Sequence, residues 1–363
     1  MCHWKLRRAQ NGLGTAMAKD VNIRTLRPLN AETQLHRQQG LLTSVECFYV
    51  RNHFSIPESW PGLVVDGAVE RRLELGINDI RRMPRQTLTV TLECAGNGRA
   101  FQRPQAEGVQ WGIGAVGTAE FTGTLLSPLL KRARIKPGAI EVLFVGADQG
   151  VPERQSNDEE AEPIHFARSL PLEDALNADV LLAYEMNGQP LWAEHGAPLR
   201  LIVPRRYAVA AVKWLVRVSV LASRFHGYYQ ATHYVFEDGT HEPEPLGRIA
   251  VRSIITAPEV GAKLEKGQAC TIRGYSWSGI APVTRVEVST NGGRAWLRAE
   301  VSAAASDYEW VEWQATWTPT AAGTYRLMAR ATDAAHNRQP RQARWNRLGY
   351  ANNSVVPIAI SVR

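Results

Sequence analysis

The sequence predicts an α+β chain: a mixed α/β domain followed by an immunoglobulin-like β-sandwich. Three observations predict it. Strand-sized apolar runs alternate with Gly and Pro punctuation over residues 41–220; one helix signal interrupts them; and from about residue 250 the pattern changes to short strands and turns without an amphipathic helix. At 363 residues the chain has room for two or three domains of the usual ~100–200 residues and needs no disulfide staples.

In chain order, Met1 to Asp20 is polar and carries Arg7 and Arg8 without the apolar segment of a secretory leader, so residues 1–40 read as a loose N-terminal arm. That reading places the protein in the cytoplasm, or in the periplasm if a leader precedes this sequence. Strands are expected at Val45 to Val50, Leu88 to Leu92, Ile140 to Val145, Leu199 to Val203 and Val212 to Val220. The helix is expected to start with Ser127 as cap and Pro128 in the first turn, and to close at Lys136-Pro137-Gly138. Glu242-Pro243-Glu244-Pro245 reads as a linker, because two prolines deny the backbone regular pairing. The boundary therefore falls near residue 248, giving a catalytic domain over 41–248 and a second domain over 249–363.

In that second domain, Asn291-Gly292-Gly293 between Val286-Glu287-Val288 and Ala295-Trp296-Leu297 signals a hairpin, since Asn and Gly tolerate positive φ. Further strands read at Thr271 to Tyr275, Trp310 to Trp317, Tyr325 to Ala329 and Val355 to Val362, about seven strands in all, as an immunoglobulin-like sandwich requires. Trp296, Trp310, Trp313 and Trp317 either fill its core or form a dimer face.

Composition narrows the function. The net charge of +7 rests on 35 Arg against 7 Lys, a surplus of forked cations suited to oxyanions. No basic block supports a nucleic-acid partner, and no run of 18 apolar residues supports a membrane span. Cys2, Cys47, Cys94 and Cys270 are scattered, which fits a reducing compartment. Gly112-Ile113-Gly114-Ala115-Val116-Gly117 matches the dinucleotide glycine pattern, but no good strand precedes it and Gly123 interrupts the helix that should follow; NAD is rejected.

The most informative segment runs from Leu88 to Arg99. A two-residue period puts Leu88, Val90, Leu92 and Cys94 on one strand face. Spacing alone favours Cys94 as a small core residue. The alternative is a reactive thiolate, because the strand runs into Ala95-Gly96-Asn97-Gly98, which permits close backbone approach, and then Arg99, a cation.

Glu93-Cys94-Ala95-Gly96-Asn97 with Arg99, Phe48-Tyr49-Val50-Arg51-Asn52-His53, Tyr184-Glu185-Met186-Asn187-Gly188 through His195-Gly196 to Arg200, Val212-Lys213-Trp214-Leu215 and Gly274-Tyr275-Ser276-Trp277-Ser278-Gly279 together resemble the sulfite oxidase family. The resemblance runs in order from about residue 41 to 363 and is nearest to bacterial stand-alone members without a haem domain. It implies a molybdenum–molybdopterin cofactor (Mo-MPT), with Cys94 as the protein thiolate on the metal. It also implies Arg51 and Arg99 as anion-pocket cations, Tyr234 near the metal, and a pterin held by Phe48, Tyr49, Arg51, Asn52, His53, Asp148, His195, Arg200 and Lys213. The implied activity is oxidation of sulfite to sulfate, with electrons passing to a separate acceptor such as a cytochrome, in a homodimer formed by the second domain.

Two departures bear on the substrate. Animal members carry Trp-Asn-Leu-Arg-Gly where this chain has Trp345-Asn346-Arg347-Leu348-Gly349, leaving open whether Arg347 replaces the pocket arginine. Pro204-Arg205-Arg206-Tyr207 adds two charges expected beside the cofactor cleft. The alternatives are the same cofactor acting on another oxyanion or a sulfoxide, and a non-catalytic binding protein with a vestigial first domain.

Overall fold

A computed structural model describes residues 21–152 and 161–363. The Arg7-Arg8 pair and most of the loop from Gly150 to Pro163 lie outside the described residues. The first domain is built on two five-stranded sheets. One orders Gln189–Pro190, Leu181–Met186, Val116–Leu125 and Gln86–Glu93, all antiparallel, with Arg200–Ile202 also on Leu181–Met186. The other orders Leu73–Leu75, Leu63–Gly67, Leu215–Leu221, Glu141–Gly150 and Ile164–Pro171, with one parallel pair, Leu63–Gly67 on Leu215–Leu221. In the second domain a sheet of Arg252–Ala257, Cys270–Trp277, Val311–Trp317 and Glu300–Val301 packs against one that includes Val283–Ser289, Gly323–Asp333 and Ile358–Val362, closing a core around Ile272, Val286, Trp313, Leu327 and Ile360. This is the expected mixed α/β domain followed by a sandwich, and the hairpin at Asn291 forms with Val288 opposite Leu297.

Several local expectations give way to tertiary contacts. The helix is Leu126–Ala133 with Leu125 at the cap position, so Ser127 lies inside its first turn and makes no capping bond, and the Leu126 amide is held by the Val180 carbonyl at 2.9 Å. Val45 to Val50 is not a strand: its alternation comes from turns that bury Phe48 and Tyr49, and Val50 makes only an isolated bridge to Ala31. The strand expected from Val212 begins at Leu215, since Trp214 sits at φ 50°, a conformation costly for a bulky side chain. Residues 21–40 are not simply a loose arm. Val21–Leu26 and Leu29–Thr33 form a hairpin, Asn30 and Glu32 are buried, and the hairpin reaches into the site described below.

The domains meet along a buried seam. Trp310, fully buried, stacks on Tyr275 at 4.3 Å and donates its indole N–H to the Leu41 carbonyl at 2.8 Å. Trp313 fills the sandwich core, whereas Trp317, on Tyr325, and Trp296, under Arg330, are half-buried, so of the four rings only Trp313 takes the core-filling role. No helix among the described residues is long and apolar enough to cross a membrane.

Candidate active site

Strand Gln86–Glu93 delivers the centre of the site. Its even positions, Val90, Leu92 and Cys94, join an apolar cluster with Phe48 and Tyr49, while Thr91 and Glu93 turn to the second domain, where the Thr91 hydroxyl accepts from the Trp310 amide at 2.7 Å. The loop after the strand is held from several sides. Glu93, 2% exposed, accepts from Arg252 at 2.8 Å, from the Trp277 indole at 2.8 Å and from the Asn97 amide at 2.9 Å. The Asn352 side chain donates to the Gly98 carbonyl at 2.7 Å, and the Ala351 amide to the Ala95 carbonyl at 2.8 Å. Gly98 needs to be glycine twice over: its φ is 87°, and a Cβ there would lie 2.8 Å from the Arg252 guanidinium.

Two chambers meet at Cys94, Arg51 and Tyr234. The first is walled by Phe48, Tyr49, Asn52, His53, Asp148, His195, Arg200 and Lys213 as well, so every residue expected to hold the pterin lies on it. The second adds Arg99, Trp111, His233, Leu348 and Tyr350. All twelve candidate residues named from sequence thus come together, eleven on the first chamber and Arg99 on the second alone.

The first chamber is polar at one end and apolar along its sides. His195 places its Nε2 3.2 Å from the Val45 carbonyl, and burial lowers its pKa to about 3, so the ring is neutral. Arg200 donates to the His195 and Ala211 carbonyls at 2.9 and 3.3 Å, and burial lowers it to about 10. Lys213 donates to the Glu194 carbonyl at 2.8 Å and to the Asn52 side chain; burial pushes its pKa well down. Asp148 is raised to about 7 by burial, with Lys213 opposing the shift. The N-terminal hairpin completes this wall, as the Asn30 side-chain carbonyl accepts from Arg51 at 3.2 Å and from the Asn52 amide at 2.9 Å.

Around the second chamber, Arg99 is fixed by bonds from Nε to the Leu348 carbonyl at 3.1 Å and from Nη1 to the Val109 carbonyl at 3.0 Å, and it lies 4.8 Å over the Tyr350 ring. Neither bond uses Nη2, which leaves that donor for an oxyanion. Tyr234 stacks on Tyr350 at 4.8 Å and its hydroxyl lies 2.7 Å from His53 Nε2. Burial, reinforced by Arg51, holds His53 well below its usual pKa, so the ring stays neutral beside the phenol. Cys94 is 5% exposed, and burial pushes its thiol up, with Arg51 and Arg99 pulling the other way. Arg99 alone does not make it a thiolate; a soft cation taking the place of its proton would.

Sequence reasoning missed Tyr350, His233, Trp111 and Glu194. His233 was legible as the neighbour of Tyr234, but Tyr350 and Trp111 sit in loops whose local pattern carries no signal. One open question closes and one expectation changes. Arg347 does not enter the pocket; its Nε and Nη2 both donate to Glu237 at 2.8 and 2.6 Å, while Leu348, 2% exposed, faces the chamber. Arg205 and Arg206 do not border the cofactor chamber, because they pair with Asp307 at 2.7 Å and Asp174 at 2.5 Å in a separate cleft. The glycine-rich run 112–117 is no nucleotide-binding helix start, as read from sequence: it opens strand Val116–Leu125, with Gly112 and Gly114 packed against the hairpin residues Glu32 and Thr33.

A buried thiol between an apolar-walled, cation-ended chamber and an arginine-bearing one defines an oxidoreductase that carries a pterin-bound soft metal. The comparisons agree. Residues 52–229 match the family described as oxidoreductase molybdopterin binding domain, and residues 245–363 match the Mo-co oxidoreductase dimerisation domain. The chain is 32% identical to mitochondrial sulfite oxidase of Mus musculus over 92% of its own length and 64% of that protein's. It is 31% identical to sulfite oxidase of Arabidopsis thaliana, with 92% of each covered. In structure it is similar to the sulfane dehydrogenase SoxCD from Paracoccus pantotrophus, with a TM-score of 0.79 at 28% identity, covering 91% of this chain and 84% of that one. The chain belongs to the sulfite oxidase family of molybdopterin oxidoreductases, and its cofactor is molybdenum–molybdopterin. It spans about two thirds of the length of the mammalian relatives it matches, 64%.

The chamber fits that group. Asp148 Oδ1 and Arg200 Nε are buried without a hydrogen-bond partner among the described residues, one an acceptor for ring N–H groups and the other a donor for a phosphate. Buried polar atoms left unpaired cost about 1–3 kcal/mol each, so a polar ligand that pairs them is stabilised there.

Proposed function

We propose that the chain oxidises sulfite to sulfate, adding one oxygen atom to sulfur and passing two electrons to a separate acceptor such as a cytochrome. The observation that supports this best is the junction itself: Cys94, Arg51 and Tyr234 line both the chamber that fits the cofactor and the chamber that holds a free arginine donor.

In this reading the bound cofactor supplies the two-electron redox change that no side chain can. Cys94 holds the metal through its thiolate. Phe48 and Tyr49 wall the pterin, Asn52, His53 and Asp148 meet its polar edge, and His195, Arg200 and Lys213 receive its phosphate. Arg99, pinned by two carbonyls, and Arg51 present fixed charge to the incoming oxyanion, so little reorganisation accompanies the change from sulfite to sulfate. Tyr234, kept protonated by burial and oriented by neutral His53, donates from its phenol at the boundary between the chambers.

The test measures molybdenum and sulfite turnover on one sample with an artificial acceptor. Stoichiometric metal with turnover that Cys94→Ser abolishes is the expected result; normal turnover in Cys94→Ser would sink the thiolate assignment. Molybdenum with activity only on nitrate or a sulfoxide would favour the second reading, for which Leu348 in the chamber wall speaks. A binding protein with a vestigial first domain predicts no molybdenum at all.

The domain division near residue 248 and a homodimer formed through the second domain belong to the same proposal, supported by the match to a dimerisation domain. Light scattering should show a dimer for the full chain and a monomer for a chain ending near residue 248, and a monomeric full chain refutes the dimer.

A further inference from the structure

Resting on the oxyanion reading above, we infer that Asn30 is a positioning residue of the anion site: its side-chain carbonyl, a neutral acceptor delivered by the N-terminal hairpin, holds the Arg51 guanidinium at the junction of the chambers without cancelling its charge. Three observations carry this. First, the register puts Asn30 there. Ala31 and Val50 exchange both backbone hydrogen bonds at 2.9 Å in an antiparallel bridge, which sets Asn30 opposite Arg51. The far end of the same strand is tied to the backbone beside the thiol. The Thr33 amide donates to the Gly114 carbonyl at 3.0 Å and its hydroxyl to the Val116 carbonyl at 3.2 Å, while the Ala115 carbonyl between them accepts from the Cys94 amide at 2.9 Å. Strand Leu29–Thr33 thus spans from the Arg51 segment to the backbone on which Cys94 leans.

Second, the orientation of the amide is forced. Asn30 is fully buried, and its Oδ1 accepts from Arg51 Nη1 at 3.2 Å and from the Asn52 amide at 2.9 Å, two groups that can only donate. Its Nδ2 donates to the Thr25 hydroxyl at 2.7 Å and to the Pro28 carbonyl at 3.2 Å, which can only accept. Turning the amide over would set donor against donor on one side and acceptor against acceptor on the other, so the oxygen stays on Arg51.

Third, the arginines around the site divide by the kind of acceptor that fixes them. Arg51 meets Asn30, the Asn52 carbonyl and the His53 ring, and Arg99 meets the Leu348 and Val109 carbonyls. These are neutral groups, and both arginines line the second chamber. Arg252, in the seam, and Arg347, outside the pocket, are instead paired with the carboxylates of Glu93 and Glu237. A carboxylate at position 30 would hold Arg51 as firmly, but its own charge would oppose an arriving anion. A carbonyl fixes the guanidinium and leaves its positive charge to the anion.

The experiment compares the molybdenum-loaded full chain with Asn30→Asp and Asn30→Ala. It measures molybdenum content, the binding of inorganic sulfate by calorimetry per bound molybdenum, and KM and kcat for sulfite with ferricyanide. Asn30→Asp keeps the shape and the acceptor but adds a negative charge beside Arg51; it should weaken sulfate binding and raise the sulfite KM at least about tenfold. Asn30→Ala removes the acceptor and leaves the charge of Arg51 alone, so the same constants should move by about fivefold. In both, KM should move more than kcat, because Arg51 meets the anion before and after oxygen transfer alike. A role confined to holding the hairpin would lower stability or molybdenum content and leave sulfate affinity and KM unchanged in the loaded fraction. That result in every variant that folds overturns the inference, as does failure of both to fold. A larger effect in Asn30→Ala than in Asn30→Asp overturns it too, since the charge of the acceptor would then be immaterial. Sulfate binding in the expected order without sulfite turnover by the parent overturns the sulfite reading and leaves the role of Asn30 standing. A loaded parent that neither binds sulfate nor turns over sulfite overturns both.

Discussion

The chamber that fits the cofactor and the chamber proposed for the substrate share Cys94, yet they are built differently. Every residue around the first lies between Phe48 and Tyr234, within one domain, and most sit in motifs readable in the sequence. The second borrows Leu348 and Tyr350 from the loop between the last two sandwich strands and rests on an ion pair that crosses the domain seam. The first chamber is therefore lined by one domain, although the Cys94 loop that both chambers share is held in part by Arg252, Trp277, Ala351 and Asn352 of the second. The shape of the second chamber depends on how the second domain docks.

The sharpest way to break this contrast is the seam. Arg252 and Glu93 are each 2% exposed, and removing the cation leaves a buried carboxylate uncompensated. Arg252→Met should cost about 3–5 kcal/mol in denaturant unfolding. A loss under about 1 kcal/mol would show that Trp277 and Asn97 alone satisfy Glu93.

Next comes the separation of the chambers. Lys213→Met removes a charge from the phosphate end while keeping the stem, and loss of a charge-assisted hydrogen bond of about 1.5–3 kcal/mol should weaken cofactor retention roughly tenfold or more. Sulfate binding at the arginine side should persist, and if metal content and sulfate binding fall together the chambers are not independent.

The smallest expected effect is on pH dependence. His195 has a pKa of about 3 in the fold and about 6.5 when unfolded, so below pH 6.5 the unfolded chain takes up a proton that the folded chain refuses. Stability therefore falls as pH drops through that window, by about 1.4 kcal/mol per unit for this one group. His195→Gln should lose about 2 kcal/mol less than the parent between pH 6.5 and 5 in denaturant titrations. Equal losses would show that the ring is protonated in the fold.

Much of the first chamber was legible because its residues lie on short, ordered motifs. The two-residue period from Leu88 forecast the face on which Cys94 sits, and Phe48 to His53 arrives as one continuous segment even though it is a turn rather than the expected strand. The N-terminal hairpin was not legible. Its exposed first strand, with an Ile23 side chain about half exposed, hides the fact that Asn30 and Glu32 on the second strand are buried against the site.

The order of motifs and the alternation of apolar residues determined, by sequence alone, the two-domain α+β architecture, the family and the cluster of cofactor-facing residues. These depend on periodicity and local turn chemistry, which the chain carries in its neighbours along the backbone. Only the tertiary structure decided which of Arg347 and Leu348 lines the second chamber, that Arg205 and Arg206 lie away from the first, and that Tyr350 lies beneath Arg99. In the loop around position 348, Asn346 is fully buried and bonds both ways with Tyr350, donating to its carbonyl at 2.6 Å and accepting from its amide at 2.9 Å. That turn, together with the Glu237 carboxylate waiting outside, sets the direction of each side chain, and no one-dimensional pattern encodes the packing of one domain against another.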